Sequence, residues 1–347
     1  MSLPNNLSAW LFEGLSPADT PRDKGMRLYE LGSYKQALHF LQAPDAKLDD
    51  EALFVLGSII ERDPSAMLVS IEALEHSIKQ TEQADLKGPE SELFIAQANS
   101  QILELQNAFK AQYMTHYQAA AEQGNIDAML RLGGAVWNER AALQLDSGVL
   151  KDDPEALLNM YALTKNTHWL KRSAETGNAV ALYLIAEFYD NSPAPSNTPV
   201  DMHVHITDSL KASALGGYPP AMFWYANRIE HRANFDLIQL WRVKEAQAGS
   251  VNAVARYAMA LCGFNGDAEH NDLDSGFAAD ELKGFGLLWL ISQIEGREHD
   301  PYDVQGIVQR LSKNLTLEQI ETAKALAHDW NSEFPLVSEF RMRACLV

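Results

Sequence analysis

The sequence predicts an all-α protein, a solenoid in which consecutive helical hairpins stack on one another. Three observations lead there. One motif with helix–turn–helix chemistry recurs four times, no segment alternates as a sheet strand does, and the composition, 46% hydrophobic and 22% charged, is that of an ordinary folded chain.

The motif is Ala-x-x-Gly-x-x-x-Ala. It occurs as Ala121/Gly124/Ala128, Ala174/Gly177/Ala181, Ala214/Gly217/Ala221 and Ala246/Gly249/Ala253. With 45 Ala and 20 Gly among 347 residues, independent placement gives about a third of one match, so four matches require a repeat. A small residue sits nine places after each glycine, at Gly133, Ala186, Ala226 and Ala258, preceded by Leu132, Ile185, Tyr225 and Tyr257. Glycine is favoured just past a helix end, where the backbone turns through a region that a Cβ disfavours. Asn125, Asn178 and Ser250 follow as N-caps, and Pro219-Pro220 suits an opening turn. The alanines and the later small residues let neighbouring helices approach closely. A lone hairpin cannot bury its apolar face, so consecutive hairpins stack.

These residues carry a family resemblance. The run Ala119-Ala-Ala-Glu-Gln-Gly-Asn125, with Ala128 and Leu132-Gly133, resembles the Sel1-like branch of tetratricopeptide-related repeats. So does Trp169-Leu-Lys-Arg-Ser-Ala-Glu-Thr-Gly-Asn178, whose tryptophan stands eight residues before the glycine, as Trp241 does before Gly249. Gly148-Val-Leu-Lys-Asp152 is similar to the family's connector between its two helices, and Leu315–Trp330 to the helix that closes such arrays, with Thr316 and Gln319 as a capping box. Glycine-to-glycine distances of 53, 40 and 32 residues mark insertions in two repeats. Lys283–Gly296, with Trp289, resembles one more second helix. Tyr29-Glu-Leu-Gly-Ser-Tyr34-Lys-Gln-Ala37 resembles an ordinary tetratricopeptide turn, and Asp50–Gly57 the opening of a further repeat. The resemblance implies a right-handed superhelical solenoid with three parts: divergent hairpins over 1–110, Sel1-like repeats over 111–300 and capping helices over 301–347.

The breaks fall where polar residues, Gly and Pro gather: Thr81–Ser91, Asn191–Val200 with three prolines, and the acidic Gly263–Glu281. A net charge of −19 and a pI near 4.9 argue against nucleic acid and anionic membrane as partners, since phosphate binding draws on Lys and Arg. No apolar run approaches the roughly 20 residues of a membrane span, and no secretory signal pattern opens the chain; the expected location is the cytoplasm.

Chemistry is sparse. Cys262 and Cys345 make neither a disulfide framework nor a four-ligand zinc site, and Cys262 at the end of an apolar helix reads as a packing thiol. Placing Gly276 at the sixth position of a calcium loop puts Leu273 on a ligand position, where it cannot serve. His203 and His205 have no third ligand fixed by spacing and read as surface or capping residues. Trp169, Trp241 and Trp289 read as packing residues, whereas Trp10 and Trp137 fall outside that pattern and are candidates for exposed contacts. No local nucleophile, acid–base or phosphate-binding motif is present, so the expectation is a non-enzymatic protein with no cofactor, no metal and no catalytic residue.

The binding expectation is carried by the resemblance to the tetratricopeptide family, whose first helices line a concave face. Positions around the packing pairs give Asp127, Trp137, Glu187, Asp190, Asn227, Glu230 and Asn252, a polar set with four carboxylates and no lysine or arginine. Such a face suits a basic peptide or protein partner. Family roles extend this to an adaptor, an assembly chaperone for a secretion or surface complex, or an immunity protein neutralising a bacterial toxin. An enzyme of unrecognised class with an appended repeat array is the remaining alternative.

Overall fold

A computed structural model describes residues 20–30, 33–83, 88–191, 200–230, 235–264, 276–294 and 302–336. Among them every regular element is helical and no sheet strand occurs. The described residues divide into two compact units, 20–26 with 36–141, and 27–35 with 142–336.

The helices of the first unit begin with α1 (Pro21–Glu30, here only to Met26) and α2 (Tyr34–Leu41), followed by α3 (Asp50–Arg62), α4 (Ser65–Gln83), α5 (Pro89–Glu122), α6 (Ile126–Leu132) and the start of α7 (Gly134–Val149). At 34 residues, α5 runs about 50 Å and packs against α3, α4 and α6. Asp49 caps α3 by accepting the Ala52 amide at 2.8 Å, and Arg22 ties it to Glu51. Gly57 is small because the Tyr117 ring of α5 lies where its Cβ would be, 2.8 Å away. Fully buried Tyr117 donates its hydroxyl to Glu61 at 2.7 Å, and Arg131 donates to the same carboxylate oxygen at 2.9 Å. Burial, before the Glu61 charge, pushes the Tyr117 phenol up to about 12.

The second unit takes in the rest of α7 and then α8 (Pro154–Thr164), α9 (Thr167–Glu175), α10 (Ala179–Asn191), α11 (Val200–Leu215), α12 (Pro219–Glu230), α13 (Phe235–Gln247), α14 (Val251–Leu261), α15 (Glu281–Ser292), α16 (Val304–Leu311) and α17 (Leu317–Glu333). From α8 to α16 each helix packs on the next, and α17 closes over α15. Consecutive helices therefore share their apolar faces pairwise, and the core is a row of linked clusters.

The repeat motif is a hydrogen-bonded turn. The amides of Gly124, Gly177, Gly217 and Gly249 donate to the carbonyls of Ala121, Ala174, Ala214 and Ala246 at 3.1, 2.9, 3.1 and 3.0 Å. All four glycines have positive φ, at 107°, 88°, 89° and 84°. The next helix is then capped by the residue the sequence indicates: Asn125 accepts the Ala128 amide, Asn178 that of Ala181, and Ser250 that of Ala253. The motif alanines at 121, 128, 181, 214, 221, 246 and 253 are buried, as are Ala186, Ala226 and Ala258 nine residues past their glycines.

The first repeat departs from the expected pattern at two places. Gly133 is not a packing residue: Gly133 and Gly134 have φ of 62° and 78°, no atom lies within 4 Å of where either Cβ would sit, and the helix stops at Leu132. Two adjacent glycines remove the propensity that would carry a helix through. A second break falls at Lys165, φ 55°, so that Trp169 sits on the separate helix α9. The 53-residue spacing thus accommodates α7 and α8 as additional helices. The Gly148–Asp152 segment joins α7 to α8, and a Cβ on Gly148 would lie 2.6 Å from that of Ala156. Thr316 and Gln319 form the reciprocal capping box of α17.

Candidate protein-binding site

The site lies in the second unit, on α10, α11 and α12. Helical periodicity places Tyr183, Ala186, Glu187 and Asp190 along one face of α10, Ile206 and Leu210 on α11, and Trp224 and Arg228 on α12. Together they line an open cavity of about 120 Å³. Buried Ala186, Ile206 and Leu210 form an apolar floor, while Trp224 is 50% exposed. Ala186 packs in one buried cluster with Ile206 and Leu210, and its small side chain suits the close approach of α10 and α11. Ser213 adds a second tie between them by donating to the Ala179 carbonyl at 2.5 Å.

The rim carries the charge. Arg228 donates to Asp190 at 3.1 Å, with side chains 24% and 50% exposed, a solvated pair worth about 0–1 kcal/mol. Tyr183 packs edge-on to Tyr218, ring centres 5.2 Å apart. Burial first, and the Glu187 carboxylate second, push the Tyr183 phenol up to about 12, partly opposed by the hydrogen bond from Trp224. Two carboxylates and one guanidinium leave the cavity with a formal charge of about −1.

Of the seven residues singled out from the sequence, Glu187 and Asp190 share this cavity. Asn227, one helix position from Arg228, accepts from Arg242 at 2.5 Å and belongs to a buried polar cluster. In that cluster Glu245 is 2.6 Å from Arg256 and 3.9 Å from Arg242, and both guanidinium groups lie over the Phe223 ring at 4.6 and 4.7 Å. Asn252 is half-buried in the first turn of α14, and Glu230 ends α12, its side chain outside the described residues. Asp127 and Trp137 lie in the first unit, on α6 and α7, where Trp137 carries the Arg140 guanidinium 5.6 Å from its ring centre. The set thus acquires arginine neighbours that its spacing did not indicate: Arg228 on Asp190 and Arg242 on Asn227.

Sequence reasoning missed Tyr183, Ile206, Leu210, Trp224 and Arg228. Two i,i+4 pairs, Tyr183 with Glu187 and Trp224 with Arg228, were legible signals, although which helices face each other was not.

The remaining reactive groups are placed as follows. Burial, then Glu281 and Asp280, push the Cys262 thiol up to about 12, so it is protonated and a poor nucleophile at neutral pH. His205 packs edge-on to Tyr189 at 5.5 Å. Trp241 is buried against Tyr225, while Trp169 and Trp289 are half-buried, beside Arg172 and Lys324. Among the described residues no group of three or more His, Cys, Asp or Glu could hold a metal, and no helix is long and apolar enough to cross a membrane. Trp10, Cys345 and positions 265–275 of the acidic segment, with its calcium-loop reading, lie outside the described residues, as does the side chain of His203 on α11.

No known protein family and no curated protein matches the chain. Its structural neighbours include Sel1-like repeat proteins. A protective antigen of uropathogenic Escherichia coli displaying an SLR fold is 13% identical, TM-score 0.41, over 91% of this chain and 76% of that one. A Sel1 repeat protein from Oxalobacter formigenes is 18% identical, TM-score 0.35, over 82% of this chain and 100% of that one. The Pseudomonas aeruginosa protein PA5086 is 17% identical, TM-score 0.36, over 56% and 79%.

Proposed function

We propose that this chain is a non-enzymatic interaction scaffold that holds a basic protein partner on the face carrying Glu187 and Asp190. The observation that carries the proposal is the cavity itself: a solvent-open apolar floor with an acidic rim, built on rigid packed helices. Small-molecule sites occupy roughly 300–1,000 Å³, well above the cavity's 120 Å³, which favours a protein surface feature over a substrate pocket. Glu230 and Asn252, at the end of α12 and the start of α14, are further candidate contacts within the same unit. Asp127 and Trp137 form a separate candidate contact on the other.

The test is capture of partners from the native host by full-length protein, compared with the charge-reversed pair E187K/D190K. A specific partner retained by the parent and by an Asp272/Asp274 reversal, but lost from E187K/D190K, supports the reading. A partner that binds all three equally overturns the assignment of this face. Neutralisation of a toxin and service as a cytoplasmic adaptor are the two finer versions. Co-expression with a toxin encoded by a neighbouring gene separates them: rescue of growth supports the first, and lethality despite folded protein removes it.

A further inference from the structure

We propose that the cavity between α10, α11 and α12 is a socket for one long cationic side chain, a lysine or arginine presented by the basic partner, an inference that rests on the scaffold function above. Size is the first argument. A cavity of 150 Å³ accommodates a benzene-sized group, so 120 Å³ takes one side chain and little more.

Chemistry is the second argument. Lysine and arginine have an apolar stem and a charged tip, and seek surfaces that match both. Ile206, Leu210 and Ala186 offer an apolar floor for the stem. Glu187 and Asp190, one helical turn apart on α10, offer acceptors for the tip. The half-exposed Trp224 supplies an aromatic surface at the wall, against which a cation gains further.

The charge balance makes the choice. An aspartate or glutamate would meet two carboxylates and one arginine, and a wholly apolar side chain would cover Glu187 without satisfying it. A single cation brings the cavity to neutrality.

The test uses the full-length protein labelled with 5-fluorotryptophan, whose Trp224 signal is assigned by Trp224→Phe. The probes are the N-acetyl methylamides of lysine, arginine and norleucine, the last retaining a linear apolar stem without charge. At low ionic strength, either cationic amide is expected to shift the Trp224 fluorine resonance saturably, with an affinity on the order of millimolar. Norleucine is expected to bind at least about fivefold more weakly, and Glu187→Gln to weaken lysine about threefold to fivefold without changing norleucine. An unmoved Trp224 resonance, equal binding of lysine and norleucine, or a shift that follows protein concentration instead of probe would overturn the proposal. The last result would mean that a second copy of the chain fills the cavity. The outcome is independent of partner capture. A socket that binds the amides while no partner is found strikes the scaffold reading alone, and a partner bound through Glu187 and Asp190 without any Trp224 shift strikes the socket alone.

Discussion

Replacing Gly177 by alanine isolates the conformational demand of the repeat turn. Its φ is 88°, and nothing lies within 4 Å of the position its Cβ would take, so no steric contact contributes. Holding an L-residue in a left-handed conformation costs roughly 1–2 kcal/mol. Alanine also narrows the unfolded ensemble, which returns about 0.4–1 kcal/mol. The net expectation is a loss of about 1 kcal/mol, or a fall of roughly 2–4 °C in Tm for a unit of this size. Asparagine tolerates the left-handed region better than alanine, so Gly177→Asn should lose less than Gly177→Ala. The assay is urea denaturation followed by circular dichroism and by tryptophan fluorescence, with the m-value checked for constancy. An alanine variant as stable as the parent, or an asparagine variant no better than the alanine one, would refute the argument that this glycine is required by its dihedral angle.

Gly286→Ala is the complementary case, a helical residue whose Cβ would run into the backbone carbonyl of Ala323, with the carbonyl carbon 2.9 Å away. Backbone cannot step aside as a side chain can, so overpacking of about 1–3 kcal/mol should exceed the helix-propensity gain of about 1 kcal/mol, and urea denaturation should show a net loss. Asn178→Ala removes the acceptor of the Ala181 amide and should cost about 1 kcal/mol in the same assay, more than Asn178→Ser. Tyr117 and Tyr183 are held protonated up to about 12, above the ordinary 10.0, so folded protein keeps two protons that the unfolded chain releases. Their contribution is complete below pH 10 and declines as pH rises from about 10 to 12, which pH-dependent denaturation should show; Tyr117→Phe and Tyr183→Phe should each flatten that decline. Cys262, raised to about 12, should react with a disulfide reagent at pH 8 far more slowly than free cysteine in a Cys345→Ser background, and at the normal rate in urea.

The motif was legible because it is local. A glycine whose amide returns to the alanine three residues before it, followed by a capping Asn or Ser, is a contact within one turn, and the residues that make it are fixed in sequence distance. The same holds for the Thr316–Gln319 box and for the small residues at 186, 226 and 258, each defined by its spacing from a neighbour. Gly133 shows the limit: it occupied the right position, yet the adjacent Gly134 turned a packing site into a helix end.

The amino-acid sequence by itself therefore determined the class of fold, the repeat turns and their caps, and an excess of acidic charge. Tertiary structure decided where that charge is used. Asp190 meets Arg228 from 38 residues away, Asn227 is taken up by Arg242, and Glu187 lies at the edge of a cavity whose floor joins α10 to α11. The reason is physical: helix turns and caps are set by dihedral angles and hydrogen bonds over three to five residues, whereas a site is set by which helix faces pack together, and that depends on the volumes of side chains distant in sequence.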